Sequence, residues 1–180
     1  YKVMRNSGYS YNKNPIKEVY WSQTNAGACF FCSKNNFLKI HFEDEIWMDK
    51  IDYALGEDQV MYYKMYLYGL KQVTWYKHKF VHLDAGCNMQ VEKEKKIIYS
   101  DFRFKIIFWH RFIYKPDLSL INRILSIFSI IYFFLFSLFI SLLKGNFKIF
   151  CVKRKAIIDG IKFIKSVEYK SLPLIISKNI

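Results

Sequence analysis

The sequence predicts an α/β domain followed by a membrane helix, and three observations lead to this prediction. Short apolar runs alternate with helical stretches over residues 23–100, which is the pattern of strands packed against helices. The run from Ile124 to Leu143 contains no charged residue, and a helix of that length covers about 30 Å, the thickness of a bilayer's hydrocarbon core. Positive charge is concentrated around this run. With 52% hydrophobic residues, the chain is too apolar to be disordered as a whole.

The distribution of charge favours lipid over nucleic acid as a partner. The chain has 28 Lys and Arg against 15 Asp and Glu, a net charge of +13, and such an excess often indicates nucleic-acid binding. Residues 1–89, however, carry 11 basic and 9 acidic side chains, whereas residues 90–180 carry 17 and 6. Because the basic half contains the apolar run, we expect association with anionic lipid head groups and no nucleic-acid partner.

The N-terminal elements follow from composition and from helix signals. We expect residues 1–22 to be irregular, because they are rich in Tyr and Asn and contain Pro15. The apolar run from Ala28 to Cys32 predicts a buried strand, on which the thiols of Cys29 and Cys32 would be buried and face opposite ways. Ser33 then predicts the cap of a short helix that ends at Leu38.

The next stretch of the chain predicts one helix and two strands. Met61, Met65 and Tyr68 recur at helical spacing and Gly69 follows them, so residues 57–68 predict a helix that ends at the glycine. Val73 to Tyr76 and Lys79 to Leu83 predict the two strands.

The C-terminal third predicts elements that contact a membrane. Phe102 to Tyr114 mixes aromatic and basic residues, which is typical of a segment at a membrane surface. Five polar residues of the apolar helix share an arc of about 120°, and they are Asn122, Ser126, Ser129, Ser137 and Ser141. That arc suits close packing inside a bilayer, although a shallow hairpin or a helix lying in the interface also fits the sequence. Ile157, Ile161 and Ile164 form a stripe that predicts an interfacial helix.

Several motifs of the middle region resemble family 2 glycosyltransferases. Asn25 to Lys34 resembles that family's glycine-led strand and following helix, and Leu55 to Met61 (Leu-Gly-Glu-Asp-Gln-Val-Met) matches its Glu-Asp motif. Tyr68 to Lys71 is similar to the family's helix–Gly–strand step, and Val81 to Asp84 to its strand ending in His. The apolar helix and Ala156 to Ile161 resemble the membrane-associated tails of bacterial members. The resemblance spans residues 20 to 165 approximately.

This resemblance implies a GT-A type fold represented by its C-terminal, acceptor-side part. Residues 1–100 would form that part, 101–123 an interfacial linker, 124–143 a transmembrane or membrane-embedded helix, and 144–180 a basic amphipathic tail. The family's N-terminal half binds the nucleotide sugar and ends in an Asp-x-Asp motif, for which Glu43-Asp44-Glu45 is the nearest and misplaced equivalent here. Since the chain also starts at Tyr1 without an initiator Met, we expect it to be part of a longer protein and inactive alone.

The resemblance also implies roles for individual residues. Asp58 would be the general base and Glu57 its neighbour and possible acceptor ligand, although either carboxylate can instead cap the helix that starts there. His82 would complete a metal or diphosphate site, or be a hydrogen-bonded His under a loop. Trp47, and less favourably Trp75, would stack on an acceptor sugar, with a place in the core as the alternative.

The expected function is that of an inverting, membrane-associated glycosyltransferase of surface polysaccharide synthesis. It would transfer a sugar from a nucleotide-diphosphate donor to a glycan or lipid-linked acceptor, at the cytoplasmic side of the cell membrane. The resemblance implies a divalent metal, Mn²⁺ or Mg²⁺, whose ligands lie mostly in the N-terminal half. A non-enzymatic, membrane-anchored protein that binds a partner through the acidic and aromatic middle region is the alternative.

Overall fold

The computed structural model describes residues 2–13, 17–25, 29–50, 56–77, 91–116 and 119–175, which are mainly helical with a few short strands. Within these ranges the strands form two antiparallel pairs, β1 (Lys2–Met4) with β2 (Ser10–Asn12) and β3 (Val19–Trp21) with β4 (Val73–Trp75). The described residues are therefore compatible with an α/β chain, but helix predominates and the strands form two separate pairs. The expectation that residues 1–22 are irregular is wrong, because they contain β1, β2 and β3.

The first helix is confirmed, whereas the strand expected before it is not. α1 (Lys34–Lys39) begins after Ser33, whose hydroxyl accepts the backbone N–H of Asn36 at 3.2 Å. Residues 29–32 have no strand structure, and the side chain of Phe31 is 95% exposed. The thiols of Cys29 and Cys32 are also exposed, so the expectation of buried thiols is wrong. A short apolar run does not by itself show whether a segment is buried.

The predicted helix over residues 57–68 is present as α2 (Glu57–Leu67). Its C-terminal cap is Tyr68, and Gly69 follows with a φ of +78°, as the sequence predicts. Two short 3₁₀ helices, Phe42–Asp44 and Ile46–Lys50, precede it. The strand predicted at Lys79–Leu83 lies outside the described residues, whereas β4 confirms the one predicted from Val73.

The centre of the core is α3 (Val91–Phe108), which continues as a π-helical segment, Trp109–Tyr114. Within that segment the N–H of Lys115 bonds to the carbonyl of His110, five residues earlier, at 3.0 Å. The buried residues contributed by this stretch include Phe104, Ile107 and Phe112. The interfacial linker expected over residues 101–123 is thus mostly a packed helix, because its aromatic residues are covered by the other helices.

Two further helices follow the long apolar one and pack back on α3. α5 (Phe147–Lys165) crosses α3 so closely that a Cβ on Gly160 would lie 1.8 Å from Cγ2 of Ile106, which explains the glycine. Ile157 and Ile164 pack against the core whereas Ile161 is exposed, so the predicted stripe is divided between core and surface. α6 (Val167–Lys170) is short and places Tyr169 in the core.

The apolar run forms α4 (Leu120–Leu143), which starts four residues earlier than the run of uncharged residues. By length and composition alone, this is a helix that could cross a membrane. Only 22% of its most apolar window is buried inside the structure, whereas the core helix of a soluble domain would be mostly covered.

Candidate functional site

The N-terminus of α2 is held against the core by a glycine. Gly56 is the N-cap residue and has a φ of 94°, a left-handed conformation that glycine adopts without strain. A Cβ at this position would lie 2.4 Å from the ring of Phe104, and that ring stacks on Trp47 at a centroid distance of 5.8 Å. The Glu-Asp pair therefore starts from a fixed point on the core.

Glu57 and Asp58 occupy the first turn of α2, where the positive end of the helix dipole favours carboxylates. Glu57 is exposed and Asp58 is half-buried. The N-cap residue is Gly56, so neither carboxylate occupies the N-cap position that the sequence allowed for it. The first turn thus carries two adjacent carboxylates directly after the N-cap glycine.

An aromatic surface lies beside Asp58. Tyr62 follows Asp58 by one turn of α2, and burial raises the pKa of its phenol to about 12. The ring of Phe30 meets that of Tyr62 edge to face at 5.7 Å. The segment expected to be a strand is therefore a surface segment that borders the Glu-Asp pair.

A buried ionic cluster lies on the other side of α2 and was not predicted from the sequence. Its members are Glu45, Trp47, Lys64 and Arg111, which we call the Glu45 cluster. Arg111 donates to both oxygens of Glu45, at 2.6 Å from Nε and 2.9 Å from Nη2. Lys64 Nζ and Trp47 Nε1 donate at 2.8 and 2.7 Å, so each carboxylate oxygen accepts two hydrogen bonds.

The Glu45 cluster buries one negative and two positive charges. The side chains of Glu45, Lys64 and Arg111 are 0%, 1% and 2% exposed. Burial acts to raise the pKa of Glu45, but the hydrogen bonds and charges of Arg111 and Lys64 outweigh it and lower the pKa below its usual value. Lys64 also donates to the carbonyl oxygen of His41 at 2.6 Å. The cluster thus joins the loop before α2, α2 itself and the π-helical segment.

Trp47 lies in the core, the alternative that the sequence left open. Its side chain is 1% exposed, and its indole N–H is used by Glu45. Stacking on a sugar requires a free ring face, and Phe104 covers one face of Trp47. Trp47 therefore has a packing role in this structure and does not line an open site.

An open groove of about 460 Å³ adjoins the end of α2 and the strand pair β3–β4. Trp21 lines it together with Gln23, Tyr66, Lys71 and Gln72. Trp21 is 64% exposed, and Lys71 Nζ lies 5.7 Å from its ring centroid. Trp75 lies on the same face of β3–β4 and is exposed, but it does not line the groove. The sequence did not single out Trp21, since nothing local shows which tryptophans are exposed.

The metal expected from the resemblance finds no site within the described ranges. There, no three His, Cys, Asp or Glu side chains come together as ligands would. Glu43 pairs with His41 at 3.2 Å, whereas Glu45 turns into the core, so Glu43-Asp44-Glu45 is not one acidic cluster. His82 lies outside the described residues.

His110 and Tyr169 form a second partly buried polar contact, with His110 Nδ1 2.7 Å from the tyrosine oxygen. Burial, assisted by the charge of Lys115, lowers the pKa of His110 to about 4. Burial raises the pKa of Tyr169. Both groups are therefore neutral at physiological pH, and the contact is a hydrogen bond between uncharged partners.

We expect His110 to make the protein less stable under mild acid. Its folded pKa of about 4 is below the ordinary 6.5, so the unfolded chain takes up the proton first. Its contribution to the free energy of unfolding is complete above about pH 6.5 and is lost as the pH falls towards 4. Urea unfolding between about pH 7.5 and 5 measures this loss.

The variant His110→Gln should flatten that pH dependence, because glutamine does not titrate. His41→Gln is the matched control, because it makes the same substitution at a histidine whose side chain is 60% exposed. Because the pKa of Glu45 is lowered from 4.5, Glu45 changes the free energy of unfolding only below about pH 4.5. It therefore does not contribute to the pH dependence between about pH 7.5 and 5. An unchanged slope in His110→Gln would contradict the assignment.

Comparison with known proteins leaves the family open: no family model, no curated protein and no solved structure matches this chain.

Proposed function

We propose that the chain is the acceptor-side part of a membrane-associated, inverting family 2 glycosyltransferase with a GT-A type fold. In the intact enzyme it transfers a sugar from a nucleotide-diphosphate donor to a glycan or lipid-linked acceptor. The reaction takes place at the cytoplasmic face of the cell membrane and belongs to the synthesis of a surface polysaccharide. The observation that carries the proposal is the pair Glu57–Asp58 in the first turn of α2, fixed by Gly56 and bordered by an aromatic surface.

Asp58 is the general base in this proposal. Its carboxylate takes the proton of the acceptor hydroxyl while that oxygen forms a bond to the anomeric carbon. The bond from the anomeric carbon to the diphosphate breaks, the configuration inverts, and the nucleoside diphosphate leaves with the electron pair. Asp58 suits this role because it is half-buried and thus both positioned and reachable. Glu57, one residue earlier and exposed, contacts the acceptor.

A divalent metal would supply charge stabilisation for the departing diphosphate. The described residues do not fit a metal site, so no step of this mechanism passes through a metal. In the proposal its ligands belong mostly to the donor-binding half, with His82 as the one contribution from this chain.

Trp21 replaces Trp47 as the proposed sugar-stacking residue. A sugar presents apolar C–H groups on one ring face and hydroxyls at its edge, which match the exposed indole of Trp21 and the exposed ammonium group of Lys71 beside it. The groove begins at Gly69 and Tyr66, at the end of α2 opposite Asp58. A chain of several sugar units, with its growing end at Asp58, is the acceptor that this arrangement suits.

Trp21→Ala should raise the KM for a polymeric acceptor several-fold, a loss of about 1 kcal/mol of binding, with little change in kcat. Trp75→Ala is the control, because Trp75 is exposed on the same face of β3–β4 but lies outside the groove. Steady-state kinetics with acceptors of different length measure both. Equal effects of the two variants on KM would mean that the acceptor contacts the β3–β4 strand pair as a whole. That result would contradict the proposal that the acceptor binds in the groove.

The non-enzymatic alternative also receives support from one observation. The exposed aromatic side chains of Phe31, Trp21 and Trp75 would serve a protein partner as well as a sugar. Transfer of labelled sugar from a nucleotide-diphosphate donor by the intact, membrane-bound protein tests the two functions. Transfer supports the enzyme, whereas no turnover together with stable binding of a protein partner supports the alternative.

A further inference from the structure

α4 has one face on the protein and one face open along its whole length. Its buried residues, Ser126, Ile130, Phe134 and Ser141, follow one side of the helix. The opposite side exposes large apolar residues, among them Leu125, Phe128, Tyr132, Leu135, Phe136 and Phe139, which we call the outer face of α4. The helix therefore lies lengthwise against the protein and does not project from it.

The protein side of α4 combines apolar packing, by Ile130 and Phe134, with polar contacts to lysines of other helices. Lys153 of α5 donates to the hydroxyls of Ser137 and Ser141 at 3.0 and 2.9 Å. Lys105 of α3, paired with Asp101, lies 5.5 Å from the ring centroid of Phe133, near the midpoint of α4. Within the polar arc predicted from the sequence, Ser137 and Ser141 thus contact α5 of the same chain, whereas Asn122 is exposed.

A membrane-spanning α4 would disrupt these contacts. α5 carries seven charged residues among its 19, so it cannot accompany α4 into hydrocarbon without a large cost. If α4 crossed alone, the hydrogen bonds of Lys153 to Ser137 and Ser141 would be lost. Tyr132, at the midpoint of α4 and 68% exposed, would also place its hydroxyl at the bilayer centre, whereas tyrosine prefers the interface.

We propose that α4 lies flat in the interfacial region of an anionic bilayer, with its outer face among the head groups and upper acyl chains, and does not cross the membrane. This inference rests on the membrane association proposed above and goes beyond it. Charge complementarity supports an anionic surface, because the exposed basic residues Lys144 and Lys148 directly follow the C-terminal end of the helix. Phe147, also exposed, extends the apolar surface past the end of α4.

Depth measurements on three residues of the outer face test the orientation. Leu125, Tyr132 and Phe139 are seven residues apart, share one side of the helix, and extend about 21 Å along its axis. Each is replaced by a spin-labelled cysteine in the full chain with its native cysteines changed to serine. The label depth is then measured on phosphatidylcholine vesicles with about 30% phosphatidylserine. Lys162→Cys, on the exposed charged side of α5, is the aqueous control.

A flat helix places all three labels at the same shallow depth, about 5–10 Å below the head groups. A spanning helix places the label at residue 132 about 10 Å deeper than the other two, and that result overturns the proposal. Binding should be at least tenfold weaker on phosphatidylcholine alone and should weaken with salt. If the chain binds neither kind of vesicle, the membrane association itself is wrong. If it binds but the label at residue 132 is the deepest, only the flat orientation is wrong.

The unmodified chain provides a second measurement that needs no substitution. Lys115 precedes α4 and Lys144 follows it, and both are exposed. A membrane-impermeant amine reagent added outside the vesicles should modify both lysines if α4 lies flat. Protection of only one of them, found by mass spectrometry, means that α4 has crossed the bilayer.

Discussion

Asp58→Asn should lower the turnover of the intact enzyme by a factor on the order of 10²–10⁴, the usual contribution of a positioned general base. Asparagine has nearly the same size but cannot accept the acceptor's proton. The free energy of unfolding should fall by about 1 kcal/mol or less, because Gly56 is the N-cap and asparagine keeps the size and an acceptor oxygen of the side chain. Donor binding should remain, since the proposal places the nucleotide site in the other half of the enzyme.

Glu57→Gln is the matched control for Asp58→Asn. It removes an equal charge from the same helical turn, but from an exposed position. We expect a similar small loss of stability, a raised KM for the acceptor that Glu57 contacts, and a much smaller loss of turnover. Measuring sugar transfer and thermal unfolding on both variants separates catalysis from helix stabilisation. Turnover of Asp58→Asn close to that of the parent would remove Asp58 from the mechanism.

Glu45→Gln should destabilise the folded protein by about 3–5 kcal/mol, because it leaves the buried charges of Lys64 and Arg111 without a counter-ion. This is a large part of the 5–15 kcal/mol by which a domain is typically stable. Glu43→Gln is the control, since Glu43 is two residues away with a side chain that is 71% exposed. Urea unfolding of both variants measures the difference.

Combining Glu45→Met, Lys64→Met and Arg111→Met should recover much of the stability lost in Glu45→Gln. Removing a whole buried ionic group in favour of apolar residues of similar volume is often neutral, whereas removing one partner leaves uncompensated charge. Strong non-additivity is therefore expected. A triple variant less stable than Glu45→Gln would show that the cluster stabilises the fold by more than mutual charge compensation.

Local signals were sufficient to predict several elements of this fold. α2 follows from apolar spacing and from Gly69, α1 from Ser33, and α4 from an unbroken apolar run. The hairpin β1–β2 could not be predicted in this way, because its anchor is long-range. The side-chain amide of Gln59 donates to the carbonyl oxygen of Gly8 at 2.9 Å across 51 residues.

Composition was misleading where a polar group has a buried partner. The aromatic and basic residues from Phe102 to Tyr114 are compatible with a segment at a membrane surface. They are equally compatible with what the structure shows, a core helix in which Glu45 neutralises the buried Arg111. The sequence placed Asp58 at the start of a helix, and the structure agrees. It could not show that Trp47 is buried and Trp21 exposed, because that difference depends on Phe104, Glu45 and the position of β3.

The Glu45 cluster has a consequence for how the chain folds. Glu45 is 19 residues from Lys64 and 66 from Arg111. Forming the Glu45 cluster therefore requires the closure of one short and one long loop of the chain. With only one of the two cations in place, the dehydrated carboxylate lacks part of its hydrogen bonds, and this makes such a state unfavourable. By contrast, Lys153 reaches Ser141 across 12 residues. We therefore expect the α4–α5 helical pair to assemble rapidly and the closure around Glu45 to set the folding rate.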